Sequence, residues 1–361
     1  MPQSVYNAPS PLPARRANDR LSAHLTGLRG LAALTVVASH SFNTINGGRV
    51  WLAGTGQFGV WLFFGLSGFL LAWKLEREWQ HQGSINWWRY LSRRLLRIYP
   101  LLGLCALAMA VLGMLTWTEL PEVLLLLDGP QQLWTIPVEC RFYLLLPLLW
   151  LGASRWRWPL WIAGLGLGLG VYTTGLLQDW NFVARAITPA DTSRTFLAYL
   201  PAFWLGAGAG LGLAQGRPLL QPLPPLAIGV LGSLPVLPLL LSAIPLGNLL
   251  GHPLPPDYLH RWYLPFAGLY SLLFLALQQS SSPVGRALTW LQQPVWQWLG
   301  ALSYPLYLFH PLVLHQLEQA QLGLSWGGWP RFALCLLLSL AIAQLLHHVV
   351  ERPCLRWAHR S

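Results

Sequence analysis

A series of long apolar segments separated by short polar ones constrains this chain more than any other feature. A helix needs about 20 apolar residues to cross the hydrocarbon core of a bilayer. Segments of that kind predict ten spans, near residues 25–44, 57–74, 96–117, 134–151, 159–177, 195–214, 225–243, 262–278, 294–317 and 329–350. Only 10% of the residues are charged, against about 25% in soluble domains. The expected fold is therefore an all-α, polytopic transmembrane helical bundle, with its least defined boundaries in the proline-rich stretch 218–256.

Basic residues predict the orientation of these spans. The chain has 23 Lys and Arg residues and 12 Asp and Glu residues, for a formal net charge of +11. Such a charge would suggest nucleic acid in a soluble protein, but here the basic residues lie between apolar runs, where they set membrane orientation. If the N-terminus is inside, the inner segments hold Arg15, Arg16, Arg20, Lys74, Arg77, Arg89, Arg93, Arg94, Arg97, Arg155, Arg157, Arg217, Arg286, Arg352, Arg356 and Arg360. The outer segments hold Arg49, Arg185, Arg194, Arg261 and Arg331.

This bias toward the inner side predicts that both termini are cytoplasmic. We expect a multi-pass protein of the cell (inner) membrane. We expect a polar cytoplasmic tail at 1–24, a transmembrane domain at 25–351 and a second cytoplasmic tail at 352–361. An alternative reading takes the Arg-rich residues 15–29, the apolar run 31–38 and the sequence Ala38-Ser39-His40 as a secretory signal peptide. The polar lead of 24 residues is long for such a peptide, which favours an uncleaved first helix. The four cysteines are far apart and predict neither a metal site nor a disulfide framework.

Two ionisable residues in the first span suggest function, because charged and titratable groups are costly within a membrane. Arg29 and His40 are 11 residues apart, so on a helix they share one face and are separated by about 16 Å along the axis. Each residue alone has a simpler explanation, with Arg29 reaching the lipid headgroups and His40 packed as a polar residue. The alignment of the pair favours a functional role, in which an anion held at Arg29 extends toward His40.

Three further clusters carry polar groups. Arg94 and Arg97 project from one side of the third span and are able to grip a phosphate, although an ordinary cytoplasmic flank would look similar. Glu139 lies near the outer start of the fourth span, where a carboxylate could orient a histidine. Its neighbour Arg141 either forms an ion pair with it or points toward a different side of the site.

The last cluster is a polar stripe in the ninth span. Its members follow the helical spacing i, i+4, i+7 and are Ser303, Tyr307 and His310. Such a stripe either lines a cavity or contacts another helix.

Taken together, these clusters resemble the membrane-bound acyltransferase 3 family, the bacterial O-acyltransferases of surface polysaccharides. The match is carried by Gly27 to Ala33 with His40, Gly59-Val60, Phe63 to Phe69, Arg94 to Pro100, Trp134 to Tyr143, Ser303 to His310 and Glu351-Arg352-Pro353. Cys140 and Arg141 depart from the expected pattern. The resemblance spans nearly the whole chain, and we expect no fused extracytoplasmic hydrolase-like domain within these 361 residues.

The resemblance implies a ten-helix domain that takes acyl-CoA from the cytoplasm and acylates a glycan or glycolipid at or across the bilayer. It assigns the essential histidine to His40, its paired arginine to Arg29 and the fourth-span glutamate to Glu139. We expect the donor to be acetyl-CoA, without a metal, and its phosphates to be held by a set of inner-side residues. That set comprises Arg93, Arg94, Arg97 and Tyr99, with a contribution from Arg29.

We expect His40 to act either as a general base on a sugar hydroxyl or as a transient acyl acceptor. Glu139 would hold the tautomer or stabilise the cationic form of His40, while Ser303, Tyr307 and His310 would line the acceptor side. Two other functions fit the same residues. One is a transporter in which Arg29, His40 and Glu139 form a substrate or proton pathway; the other is a histidine-dependent, lipid-modifying acyltransferase of a different fold.

Overall fold

The computed structural model describes residues 12–45, 55–127, 129–177, 192–216, 224–235, 263–278, 283–321 and 328–360. The elements within these ranges are all helical. The longer helices are α1 (Leu12–Ile45), α2 (Gly56–Gln82), α3 (Trp87–Val111), α5 (Thr135–Leu177), α6 (Thr192–Ala214), α8 (Tyr263–Gln278), α10 (Pro294–Gln319) and α11 (Gly328–Leu346). The shorter ones are α4 (Leu120–Leu124), α7 (Pro225–Ser233), α9 (Pro283–Ala287) and α12 (Arg352–Arg360). The all-α class is confirmed for the described residues.

The number of spans is confirmed only in part. Five helices in the described ranges are long and apolar enough to cross a membrane: Asn18–Ser41, Gly56–Gln82, Trp87–Val111, Gln131–Trp150 and Gly328–Ala358. Tyr199–Ala214 and Tyr263–Gln278 are shorter apolar helices at predicted spans. The predicted span at 225–243 lies partly outside the described residues.

Three boundaries differ from the expectation. The predicted spans 134–151 and 159–177 belong to one helix of 43 residues, because the polar stretch between them contains residues that a helix tolerates. The first helix begins at Leu12, and Leu21 and His24 within the expected tail are already buried. At the other end, the expected tail forms α12, which packs on α3 and follows α11 through a wide helical turn at His347–Glu351.

Glycines allow the central helices to approach each other closely. α1 packs against α10 and α2, and α2 packs against α6. A Cβ at Gly206 would overlap the carbonyl oxygen of Gly65, and one at Gly68 would overlap that of Phe203, so α2 and α6 meet backbone to backbone. Small residues at helix interfaces are the usual means of close packing in membranes. This approach holds α2, which contributes a wall of the site, against the bundle.

We expect Gly206→Ala to destabilise the protein, because its methyl group would force α2 and α6 apart. Overpacking of this kind costs about 1–3 kcal/mol. Gly103→Ala is the matched control, since a Cβ at Gly103 on α3 meets nothing within 4 Å. Thermal unfolding in detergent should show a lower melting temperature for Gly206→Ala only. Equal melting temperatures for the two variants would contradict this account of the interface.

Candidate active site

A pocket between α1, α2, α3, α5 and α10 collects most of the polar residues singled out in the sequence. We call it the arginine pocket. Its polar lining consists of Arg29, Ser67, Arg94, Arg97, Thr135, Glu139, Tyr143, Ser303, Tyr304 and Tyr307. Its apolar lining consists of Val60, Phe63, Phe64, Leu66, Leu70, Leu71, Ile98 and Ile136. Five helices far apart in sequence thus contribute to one cavity.

Arg29 is held in the pocket by α10. Its Nη2 donates a hydrogen bond of 3.0 Å to Ser303 Oγ, which in turn donates to the carbonyl oxygen of Gly300 at 2.8 Å. α1 and α10 approach closely at Gly30 and Gly300, where there is no room for a Cβ, so the short serine side chain reaches the guanidinium. The bond to Ser303 uses only one of the five N–H donors of arginine.

Two other arginines share the pocket with Arg29. The guanidinium of Arg94 lies over the ring of Tyr143, with its Cζ 5.8 Å from the ring centroid. Arg97, one helical turn further along α3, also lines the pocket and repels Arg29 electrostatically. Three like charges in one partly buried cavity are unfavourable without counter-charges. This electrostatic arrangement suits an anionic ligand with several phosphate charges.

Glu139 takes part in a different set of contacts from the expected one. The hydroxyl groups of Ser67 and Tyr143 both donate to its Oε1. In the described part of the chain no hydrogen bond joins Glu139 to His40. Arg141 does not pair with Glu139 either; its Nη2 donates to the carbonyl oxygen of Leu127 at 3.4 Å. Glu139 therefore lies in the arginine pocket as an anion among cations.

His40 is hydrogen-bonded to His310 on α10. The Nδ1 atom of His40 lies 2.8 Å from Nε2 of His310, and the two rings are stacked with centroids 5.1 Å apart. The Nδ1 atom of His310 lies 2.8 Å from the carbonyl oxygen of Tyr307. The buried His310 thus connects His40 to the backbone of α10.

These contacts determine the tautomers of the neutral pair. A carbonyl oxygen only accepts hydrogen bonds, so the proton of His310 must be on Nδ1. Its Nε2 is then an acceptor, and His40 must donate from Nδ1. The lone pair of His40 is left on Nε2, which faces Gly56 at the start of α2, where a Cβ would lie 3.6 Å away. The glycine keeps space open beside the nitrogen that can take up a proton.

Tyr307 connects the arginine pocket to the histidine pair. Its side chain lines the pocket, and its ring centroid is 6.1 Å from that of His310. The Tyr307 hydroxyl donates to the carbonyl oxygen of Gln132 at 2.8 Å, which holds the ring against the turn that precedes α5. Arg29 and Ser303 therefore lie in the pocket, whereas His40 and His310 lie beside Tyr307 and outside the pocket lining.

The remaining expected donor-binding residues lie outside the pocket. Arg93 donates from Nε to the carbonyl oxygen of Ala358 at 3.3 Å and joins α3 to α12. Tyr99 is half-buried and is not part of the pocket lining.

Sequence reasoning missed Ser67 and the pairing of His40 with His310. A serine within the apolar run of α2 was the signal for Ser67, whereas the histidine pairing had no signal in the sequence.

Comparison with known proteins gives this geometry a family context. The chain is 28% identical to acyltransferase MdmB of Streptomyces mycarofaciens, over 92% of this chain and 91% of that protein. It is 23% identical to peptidoglycan O-acetyltransferase OatA of Listeria monocytogenes, over 91% of this chain and 55% of that protein. It is also 23% identical to the putative peptidoglycan O-acetyltransferase YrhL of Bacillus subtilis, over 93% of this chain and 55% of that protein.

The chain thus spans about half the length of the two peptidoglycan O-acetyltransferases and nearly all of MdmB. No solved structure matches it. The family model described as an acyltransferase domain matches residues 23–348, which include Arg29, His40, Arg94, Arg97, Glu139 and His310. Most of the chain is covered by this match, and the protein belongs to the acyltransferase 3 family, whose members transfer acyl groups.

Proposed function

We propose that the protein is an integral membrane O-acyltransferase that transfers an acyl group, in particular acetyl, from acyl-CoA to a carbohydrate hydroxyl. The observation that carries the proposal is the position of Tyr307, which lines the arginine pocket and lies beside His310, the partner of His40. Three arginines suited to phosphate line the pocket. His40, whose Nε2 is unprotonated in its neutral form, lies outside the pocket lining. An acyl-CoA donor carries phosphates, which the arginines would bind, and a thioester, which would react beside the histidine.

The donor is proposed to lie along α1. Arg94 and Arg97 bind its phosphates, and Arg29, held by Ser303, binds the same end of the molecule. The rise of a helix separates Arg29 from His40 by about 16 Å, a distance that the extended pantetheine arm can cross. The apolar part of the pocket lining, which includes Phe63 and Val60, suits the uncharged arm. Both termini would be cytoplasmic, as the distribution of basic residues favours.

His40 is proposed to act as the general base. Its Nε2 takes the proton of the acceptor hydroxyl as that oxygen attacks the thioester carbonyl carbon. The carbon–sulfur bond then breaks, and the proton passes from His40 to the departing thiolate, so that the products are the acyl ester and CoA. The bond from His40 Nδ1 to His310 stabilises the imidazolium that forms between these steps. The same free Nε2 would allow a transient acyl-imidazole, the second route open to this residue.

Two relatives named as peptidoglycan O-acetyltransferases support a glycan as the acceptor. In this proposal the acceptor approaches His40 Nε2 over Gly56, on the side away from His310. Tyr307 and His310 line this end of the site. Ser303 belongs to the donor end, because its hydroxyl group receives the hydrogen bond from Arg29. Glu139, with Ser67 and Tyr143, supplies the counter-charge that keeps the arginines in place when the donor is absent.

The function is tested by incubating purified protein in a lipid bilayer with labelled acetyl-CoA and isolated cell-wall glycans. We expect label in the glycan and release of free CoA. A charge-assisted hydrogen bond contributes about 1.5–3 kcal/mol, so Arg94→Gln and Arg97→Gln should each raise the KM for the donor by about 10-fold to 100-fold. Arg286→Gln on α9 is the control, because this arginine is exposed and does not line the pocket.

The alternative, a transporter using Arg29, His40 and Glu139, predicts a different outcome of the same experiment. It would move a solute across the bilayer without consuming acetyl-CoA. Solute flux with no thioester cleavage in the presence of glycans and other acceptors would contradict the acyltransferase proposal and support transport.

A further inference from the structure

Lys74 lies beyond the arginine pocket on the face of α2 that lines it. Ser67, Leu70 and Leu71 line the pocket, and Lys74 follows at the i+3 and i+4 spacing that places it on the same face, one turn further along. Its side chain is exposed. Because the positive-inside distribution puts this end of α2 at the cytoplasmic surface, Lys74 lies at the entrance of the pocket rather than within it.

The electrostatic surroundings of Lys74 connect it to the arginines. The charges that repel its ammonium group are those of Arg94, Arg97, Arg29 and Arg93. In the described part of the chain, the carboxylates that attract Arg29 across the same region are Glu351 and Glu139. Lys74 and these four arginines therefore carry more positive charge than Glu351 and Glu139 offset. Such an excess of positive charge is costly in a partly buried site and is relieved when a ligand with several negative charges binds.

The order of the cations along the entrance indicates which part of the donor each one meets. The thioester must enter first, because it reacts at His40. The diphosphate then follows the pantetheine arm to the level of Arg94 and Arg97. The ribose with its 3′-phosphate is the last charged part to enter and stays outermost. Lys74 is the outermost cation on the face of α2 that lines the pocket.

We propose that Lys74 binds the 3′-phosphate of the CoA donor and so makes the enzyme select CoA over donors that lack this group. The inference rests on the proposed function, since it assumes an acyl-CoA donor. Lysine suits the role, because its ammonium group is a mobile point charge that does not require the bidentate geometry of arginine. A bound phosphate would offset the repulsion between Lys74 and the four arginines.

The experiment measures binding of CoA and of 3′-dephospho-CoA to purified protein in a neutral detergent, so that no anionic headgroup competes. By the strength of one charged contact, the wild-type protein should bind CoA about 10-fold to 100-fold more tightly than dephospho-CoA. Lys74→Gln should bind both compounds with equal affinity, close to that of the wild type for dephospho-CoA. Lys74→Arg should restore the preference in part.

Arg77→Gln is the matched control. Arg77 is one turn away on the same helix, but its guanidinium lies over the ring of Trp73, 5.3 Å from the centroid. This variant should keep the wild-type preference. Melting temperatures of all variants establish that they are folded.

The outcomes separate this inference from the proposed function. Two results would show that Lys74 does not bind the 3′-phosphate although the donor is still CoA. Lys74→Gln would either keep the wild-type preference for CoA or lose affinity for CoA and dephospho-CoA by the same factor. The first of these results would be expected if Lys74 instead met a lipid headgroup phosphate. If the wild-type protein binds neither compound, the acyl-CoA donor is itself wrong and both proposals fail.

Discussion

Acyl transfer by His40→Ala is expected to fall by about a thousand-fold, within the range of 10²–10⁴ that a positioned general base contributes. The alanine variant should still bind the donor, because the arginine pocket does not include His40. Turnover with labelled acetyl-CoA and donor affinity, measured on the same preparation, separate the two effects. A loss of both would indicate misfolding rather than loss of the base.

His315→Ala is the control for this prediction. His315 lies on α10 five residues after His310, is partly exposed and has no part in the proposed chemistry. It should keep near-wild-type turnover. Retained acyl transfer by folded His40→Ala would remove His40 from the mechanism under either route, general base or acyl acceptor.

Replacing His310 is expected to reduce turnover while leaving donor binding intact. In His310→Leu the Nδ1 atom of His40 loses the partner that lies 2.8 Å away, so the ring is free to turn and to adopt the other tautomer. A neutral His40 with its proton on Nε2 cannot act as a base toward the acceptor, and the imidazolium is no longer stabilised. We expect a decrease of about 100-fold or more in kcat.

The variant His310→Gln distinguishes this positioning role from simple loss of packing. The amide oxygen of glutamine can accept the hydrogen bond from His40 Nδ1 as His310 Nε2 does. It should therefore recover part of the turnover that His310→Leu loses, with an unchanged KM for the donor. Equal activity of the leucine and glutamine variants, or a change in KM alone, would show that His310 does not act through the tautomer of His40.

Several features of the site follow directly from helix geometry and could be predicted from the sequence. Arg29 and His40 share a face because 11 residues come close to a whole number of turns. Arg94 and Arg97 project together because they are three residues apart, and the structure places both with Arg29 in one pocket. These predictions concern single helices, where the spacing of residues determines their relative direction.

The predictions that differ from the structure concern pairs of helices. The sequence suggested Glu139 as the partner of His40, but the structure pairs His40 with His310, 270 residues away. It also pairs Glu139 with Ser67 of α2 and Tyr143 of its own helix. Periodicity along α1 and α5 does not indicate which faces of the two helices meet. That depends on close contacts such as the one between Gly30 and Gly300, which brings α10 rather than α5 alongside α1.

By itself, the sequence determined that the chain is helical, that it is apolar enough for a membrane and that its ionisable residues are grouped on particular helix faces. The physical reason is that charged side chains are costly within a membrane. A chain with so few charges and so many apolar residues is therefore suited to a bundle of helices in lipid. The tertiary structure alone decided the partner of each ionisable group, the tautomer of His40 and the position of Lys74 beside the arginines. Hydrogen bonds and charge interactions between distant segments depend on distances of a few ångströms, which are set only when the helices pack together.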